Sequence, residues 1–106
     1  MDIVRVELFN KCLKKLGATD ADLAKLEAEI ASNPDAGDMI QGLAGARKIR
    51  FAMKGRGKRG GGRAVYVAVV VRETVYLLFA YSKSEKSDLT PEDRKVLKPL
   101  VELLKK

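Results

Sequence analysis

The sequence predicts an α+β domain with the element order β-α-α-β-β-β-α, a single unit spanning residues 1–106. Three observations carry this. Two segments near the N-terminus repeat their apolar residues with helical spacing. Three later segments are rich in β-branched and aromatic residues and are joined too tightly for a helical crossover. A closing segment opens with a strong helix start signal. The expected architecture is a small, mainly antiparallel sheet with its helices packed on one side.

The elements follow in chain order. IVRV (3–6) reads as an opening strand. Phe9, Cys12, Leu13 and Leu16 follow the i, i+3, i+4, i+7 spacing of an amphipathic helix that closes at Gly17. TDADLAKLEAEIASNP is a second helix: Thr19 or Asp20 caps it, Leu23, Leu26 and Ile30 form its buried stripe, and Asn33-Pro34 stops it. DAGDMIQGLAG reads as a loop. ARKIRFAM (46–53) alternates, placing Ile49, Phe51 and Met53 on one face and Lys48, Arg50 and Lys54 on the other. KGRGKRGGG (54–62) is a loop, and RAVYVAVVV (63–71) and VYLLFAYS (75–82) are strands joined as a hairpin through RET. In the last helix Thr90 is the N-cap, Pro91 sits at N1 and Asp93 at N3, with Leu97, Leu100, Val101 and Leu104 on one stripe. Pro99 interrupts that stripe and is expected to kink or break the helix.

Charge is distributed unevenly. The net charge is +7, yet residues 1–46 carry −3 (five Lys/Arg, eight Asp/Glu). Residues 47–63 carry eight cations, five glycines and no acid, and residues 64–106 carry +2. A cluster of one sign raises the local potential and attracts polyanions. Lys48 and Arg50 stand about 7 Å apart on one strand face, comparable with the spacing of successive phosphates on a single strand. Nucleic-acid binding is the reading this pattern favours, with Tyr66, Tyr76 and above all Tyr81 as candidate stacking platforms.

Several chemistries are excluded. The chain has no histidine and one cysteine, Cys12, so neither a thiolate metal site nor a Ser-His or Cys-His nucleophile is available. Gly55, Gly57 and Gly60 match a dinucleotide-binding glycine pattern, but a strand rather than a helix follows them. The phosphate-loop pattern fails because Arg59 follows Gly57-Lys58. No cofactor is expected. The longest apolar run, AVYVAVVV, is far short of a membrane span, and MDIVRVELF lacks the features of a signal peptide. A cytoplasmic protein without membrane contact is therefore expected.

NPDAGDMIQGLAGARKIRFAMKGRGKRGGGRAVY and YLLFAYSKSEKSDLTPED together resemble the RelE/HigB family of toxins from type II toxin–antitoxin systems, closest to its HigB-like branch. Three ordered blocks carry the resemblance, at 37–50, 55–63 and 81–89. It implies a RelE-like fold and a toxin that inhibits translation by cutting mRNA in the ribosome, held silent by a cognate antitoxin. By position it implies a metal-independent endoribonuclease with catalytic Lys48, Arg50, Arg63 and Lys83, and RNA- or ribosome-binding Lys54, Arg56, Lys58, Arg59 and Tyr81. Ser84 stands where RelE has an arginine, and no tyrosine follows Tyr81. The ParE group shares this fold but poisons DNA gyrase, so the alternative is a toxin acting purely by binding, to gyrase or to RNA. A cleavage mechanism without histidine is available: the ribose 2′-OH attacks the adjacent phosphorus, and Arg63 and Arg50 stabilise the phosphorane oxygens. Lys48 or Lys58, crowded by arginines, is then the expected general base.

Overall fold

The computed structural model describes residues 1–55, 57 and 61–106. The chain forms β1 (Asp2–Arg5), α1 (Glu7–Leu16), α2 (Asp20–Ser32), β2 (Asp38–Met39), β3 (Arg47–Met53), β4 (Gly61–Val69), a 3-10 turn (Val70–Arg72), β5 (Thr74–Ser82) and α3 (Pro91–Leu104). The five strands make one sheet in the order β1-β5-β4-β3-β2. β1 runs parallel to β5, and every other pairing is antiparallel. The α+β class and the mainly antiparallel sheet are those expected. The sheet gains a short edge strand, β2, from the segment read as a loop: Asp38 and Met39 pair with Lys48 and Arg47. Two residues are too few to leave a periodic signal.

Local chemistry explains the helices. Thr19 caps α2, its Oγ1 accepting from Asp22 N at 3.1 Å while Asp22 Oδ2 accepts from Thr19 N at 2.9 Å. Thr90 and Asp93 form the same reciprocal pair at the start of α3. Gly17 closes α1 in the left-handed region, φ 76°. Pro99 does not break α3, which is helical on both sides of it. The ring lies on the exposed face, while Leu97 and Val101, both fully buried, clamp the turns on either side. The carbonyl left without its helix partner therefore faces water.

The helices do not share one side of the sheet. Phe9, Leu16, Leu23, Leu26 and Ile30 of α1 and α2 pack with Ile49, Phe51, Ala64, Tyr66 and Leu77. Leu97 and Val101 of α3 pack with Val65, Val67, Val69 and Leu78, which point from the opposite face. The correction follows from composition: β4 is buried on both faces from Gly61 to Val67, so each face needs its own cover. A bulge at Leu78, between the pairs Val65–Phe79 and Tyr66–Leu77, shifts the alternation of β5 by one residue. Beyond it, Phe79 and Tyr81 lie on the α3 face.

β4 starts two residues before the expected Arg63. Gly61 and Gly62 are strand residues, and nothing larger fits there: a Cβ on Gly62 would collide with the Phe51 ring, and one on Gly61 with the Phe51 carbonyl oxygen. Phe51 and Gly62 are direct cross-strand partners, and the ring covers the glycine. Gly62→Ala must displace Phe51 from the core and is expected to cost about 1–3 kcal/mol, read as a lowered midpoint in urea with an unchanged slope.

Candidate RNA-binding cleft

Alternation along β3 sorts its cations. Ile49, Phe51 and Met53 point into the core against α1 and α2. Arg47 shares that orientation, and its guanidinium is occupied: Nη1 donates to the Gly37 carbonyl at 2.8 Å and Nη2 lies 3.4 Å from Asp35. Lys48 and Arg50 point to the other face. There they pair in register with Val65 and Arg63 of β4, so two arginines stand directly opposite one another. Arg63 in turn pairs with Tyr81 of β5. Beyond the end of that ladder, Lys83 N donates to the Gly61 carbonyl at 3.1 Å, which ties the start of the 83–90 segment to β4.

Lys48, Arg50, Arg63 and Lys83 line one open cleft of about 440 Å³. All four expected catalytic residues therefore meet at one place, from β3, β4 and the segment after β5. They differ in freedom. Arg63 is 7% exposed and donates from Nη1 to the Gly62 carbonyl at 3.1 Å. Arg50 and Lys83 are exposed. Lys48 Nζ donates to Asp88 Oδ1 at 3.0 Å. Lys48 shares its sheet face with Arg50 and Arg63, and its ion partner is a carboxylate. That hydrogen bond, followed by one from Leu89 N at 2.7 Å, holds the Asp88 carboxyl below the usual carboxylate range. As pH falls, the pair is therefore lost at a lower pH than that at which an ordinary aspartate protonates.

The binding residues fare differently. Lys54 is exposed on the turn after β3, where its backbone N donates to Asp22 Oδ2 at 3.3 Å. Arg56, Lys58 and Arg59 lie outside the described residues. Tyr81 cannot stack on a base: its ring is 1% exposed, turned under the α3 face by the β5 bulge. Lys86 Nζ lies 5.8 Å from the ring centroid and bonds Asp93 at 3.0 Å, sealing the ring further. Tyr66 is also fully buried; its hydroxyl donates to the Pro34 carbonyl at 2.7 Å and accepts from Gly37 N at 2.9 Å. The acids of the cleft were missed. Glu29 and Asp38 line it, together with the neutral Ser87, and Asp88 grips Lys48. Glu29 carries no sequence signal that separates it from the other acids of α2, and Asp88 lies inside the 81–89 block, where the resemblance assigns it no role. Among the described residues, no group of three or more His, Cys, Asp or Glu side chains is placed to hold a metal ion, and no helix is long and apolar enough to cross a membrane.

The fold and cleft together define a small α+β protein presenting a cationic site at the edge of a central antiparallel sheet. The family profile described as the RelE toxin of the RelE/RelB toxin–antitoxin system matches residues 1–106, and the chain belongs to that family. It is thus a toxin of a toxin–antitoxin system. Among solved structures it is similar to the isolated Escherichia coli RelE toxin, at 20% identity and a TM-score of 0.59, over 93% of this chain and 97% of that one. It is also similar to a double arginine-to-alanine mutant of E. coli RelE in the free state, at 14% identity and a TM-score of 0.56, over 93% and 94%.

Among the described residues the Tyr81 hydroxyl has no hydrogen-bond partner, and it is pushed up to about 12, by burial first and by Asp88 second. Tyr81→Phe therefore removes an unsatisfied polar group and is expected to leave the melting temperature unchanged or raise it. A fall would show that the hydroxyl is bonded. In the wild type, ultraviolet titration should find Tyr81 still protonated well above pH 10, with Tyr66 also raised by its burial. The unfolded chain ionises Tyr81 first, near pH ~10, so its contribution to stability is intact below that pH and is lost as pH rises towards 12.

Proposed function

We propose that this toxin inhibits translation as a metal-independent, ribosome-dependent endoribonuclease acting in the cytoplasm, and that a cognate antitoxin restrains it. The supporting observation is the meeting of Lys48, Arg50, Arg63 and Lys83 in one open cleft. A bent mRNA backbone supplies its own nucleophile. The 2′-oxygen attacks the adjacent phosphorus, the bond to the 5′-oxygen breaks, and the products are a 2′,3′-cyclic phosphate and a free 5′-hydroxyl. Such a reaction asks the protein for positioning and for cations aimed at charge as it develops.

Arg63 suits that role because the sheet holds it. Its neighbours Val65 and Val67 are buried, and its planar fork can grip two phosphate oxygens together. Arg50, opposite it, reaches a second pair of oxygens or the next phosphate. Lys48 faces the same cleft as an ion-paired ammonium, which fits neutralising charge better than removing a proton. Lys83 is exposed at the rim, where a mobile cation supplies screened attraction to the backbone.

In a translation extract, primer extension should map cuts phased with codons that disappear when ribosomes are removed. Intact mRNA together with inhibited gyrase would support a gyrase poison instead. Arg63→Lys keeps the charge and loses the fork. It is expected to slow cutting by about 10²–10³-fold, the cost of one preorganised donor, with ribosome pelleting preserved. Lys83→Ala should instead weaken ribosome association and lower its salt dependence by about one phosphate contact. If Lys83→Ala stops cutting while Arg63→Lys does not, the two roles are reversed.

A further inference from the structure

Building on that reading, we propose that Asp88 is a positioning residue, whose carboxylate fixes the Lys48 ammonium in the cleft beside Arg50 and Arg63. The lysine side chain is long and freely rotating. Two arginines lie near it on the same sheet face, and without a partner it would swing to water. Asp88 Oδ1 prevents this, accepting from Lys48 Nζ at 3.0 Å and from Leu89 N at 2.7 Å.

The carboxylate is itself held on a rigid support. Leu89 beside it is buried in the α3 core, and Thr90 is locked in the capping box that starts α3. Lys86 ties the segment to Asp93 at 3.0 Å and lies 5.5 Å from the Phe79 ring centroid. At its other end the segment hangs from the Gly61 carbonyl through Lys83 N. The ion pair thus links β3 to a segment 40 residues later that is fixed at both ends.

A purely structural reading is weaker. The Lys48 and Asp88 side chains are 30% and 56% exposed, and exposed pairs add little to stability. Neither does a carboxylate strengthen a phosphate-binding cleft, since it repels phosphate. Its contribution has to be geometric: it preorganises one cation so that less freedom is lost when RNA arrives.

The test begins with codon-phased cutting by the wild type under single-turnover conditions at saturating toxin. Asp88→Ala and Asp88→Asn are expected to slow that step about 10- to 100-fold, the scale of a misplaced group, with ribosome pelleting and melting temperature unchanged. Asp88→Glu should recover part of the rate. In a Lys48→Met background, Asp88→Ala should cost nothing more, because its effect passes through Lys48. Cutting at wild-type speed or faster in Asp88→Ala overturns the proposal, as does a loss that multiplies with Lys48→Met, or a large drop in melting temperature in both variants. A readout independent of cutting is the Lys48 ammonium resonance in nitrogen-15 NMR, held in the wild type and solvent-averaged in Asp88→Asn. If the wild type does not cut RNA, the functional reading fails by itself; the positioning role then stands if that resonance is released in Asp88→Asn and falls if it is unchanged.

Discussion

Two arginines placed opposite one another in an antiparallel ladder repel, and the rest of the cleft depends on the sheet keeping them there. Arg50 and Arg63 are direct partners across β3 and β4, an arrangement that disfavours the pairing. The next pair along, Phe51 and Gly62, holds the register against it. The Phe51 ring lies over Gly62 so closely that no side chain can replace it, and the ring is part of the α1/α2 core. A slip of one residue would turn Phe51 out to solvent and the arginines inward. Apolar burial on one face of the sheet thus enforces charge crowding on the other. Electrostatic strain at a cationic site of this kind is relieved when a polyanion enters.

The same logic divides the molecule into two cores with different duties. The face covered by α1 and α2 fixes the strand register. The face covered by α3 is apolar at Val65, Val67 and Leu78, then becomes cationic at Arg63, Arg50 and Lys48 towards the cleft. The β5 bulge marks that transition, because it keeps Tyr81 on the α3 face, directly beside Arg63 in the ladder. Tyr81 acts there as a buried wall under the cationic rim. The 83–90 segment then passes from the sheet edge to the α3 cap and brings Lys83 and Asp88 to the same opening.

A toxin built this way needs little beyond a rigid sheet edge. On the proposed reading the nucleophile belongs to RNA, and the charges belong to side chains whose direction is set by strand alternation. This places the demand on geometry, which explains why glycine, bulge and capping box all lie within a few residues of the cleft.

Much of this was legible in the sequence. The capped starts of α2 and α3, the β3 alternation and the β4–β5 hairpin are local patterns of spacing and capping, and the chain obeys them. The four cations of the cleft were legible too: Lys48, Arg50 and Arg63 from the basic run, and Lys83 from the family resemblance. Four features were decided by tertiary structure. Tyr81 stood at a strand end as a candidate stacking platform, but α3 covers it on the face to which a one-residue bulge, with no sequence signature of its own, turns it. The helices were expected on one side, but strands apolar on both faces require cover on both, and periodicity does not say which helix takes which face. Pro99 carries a local penalty that α3 absorbs because Leu97 and Val101 bury on either side of it. The Lys48–Asp88 pair spans 40 residues, and no pattern of composition or spacing reports a contact made only when the chain has closed on itself.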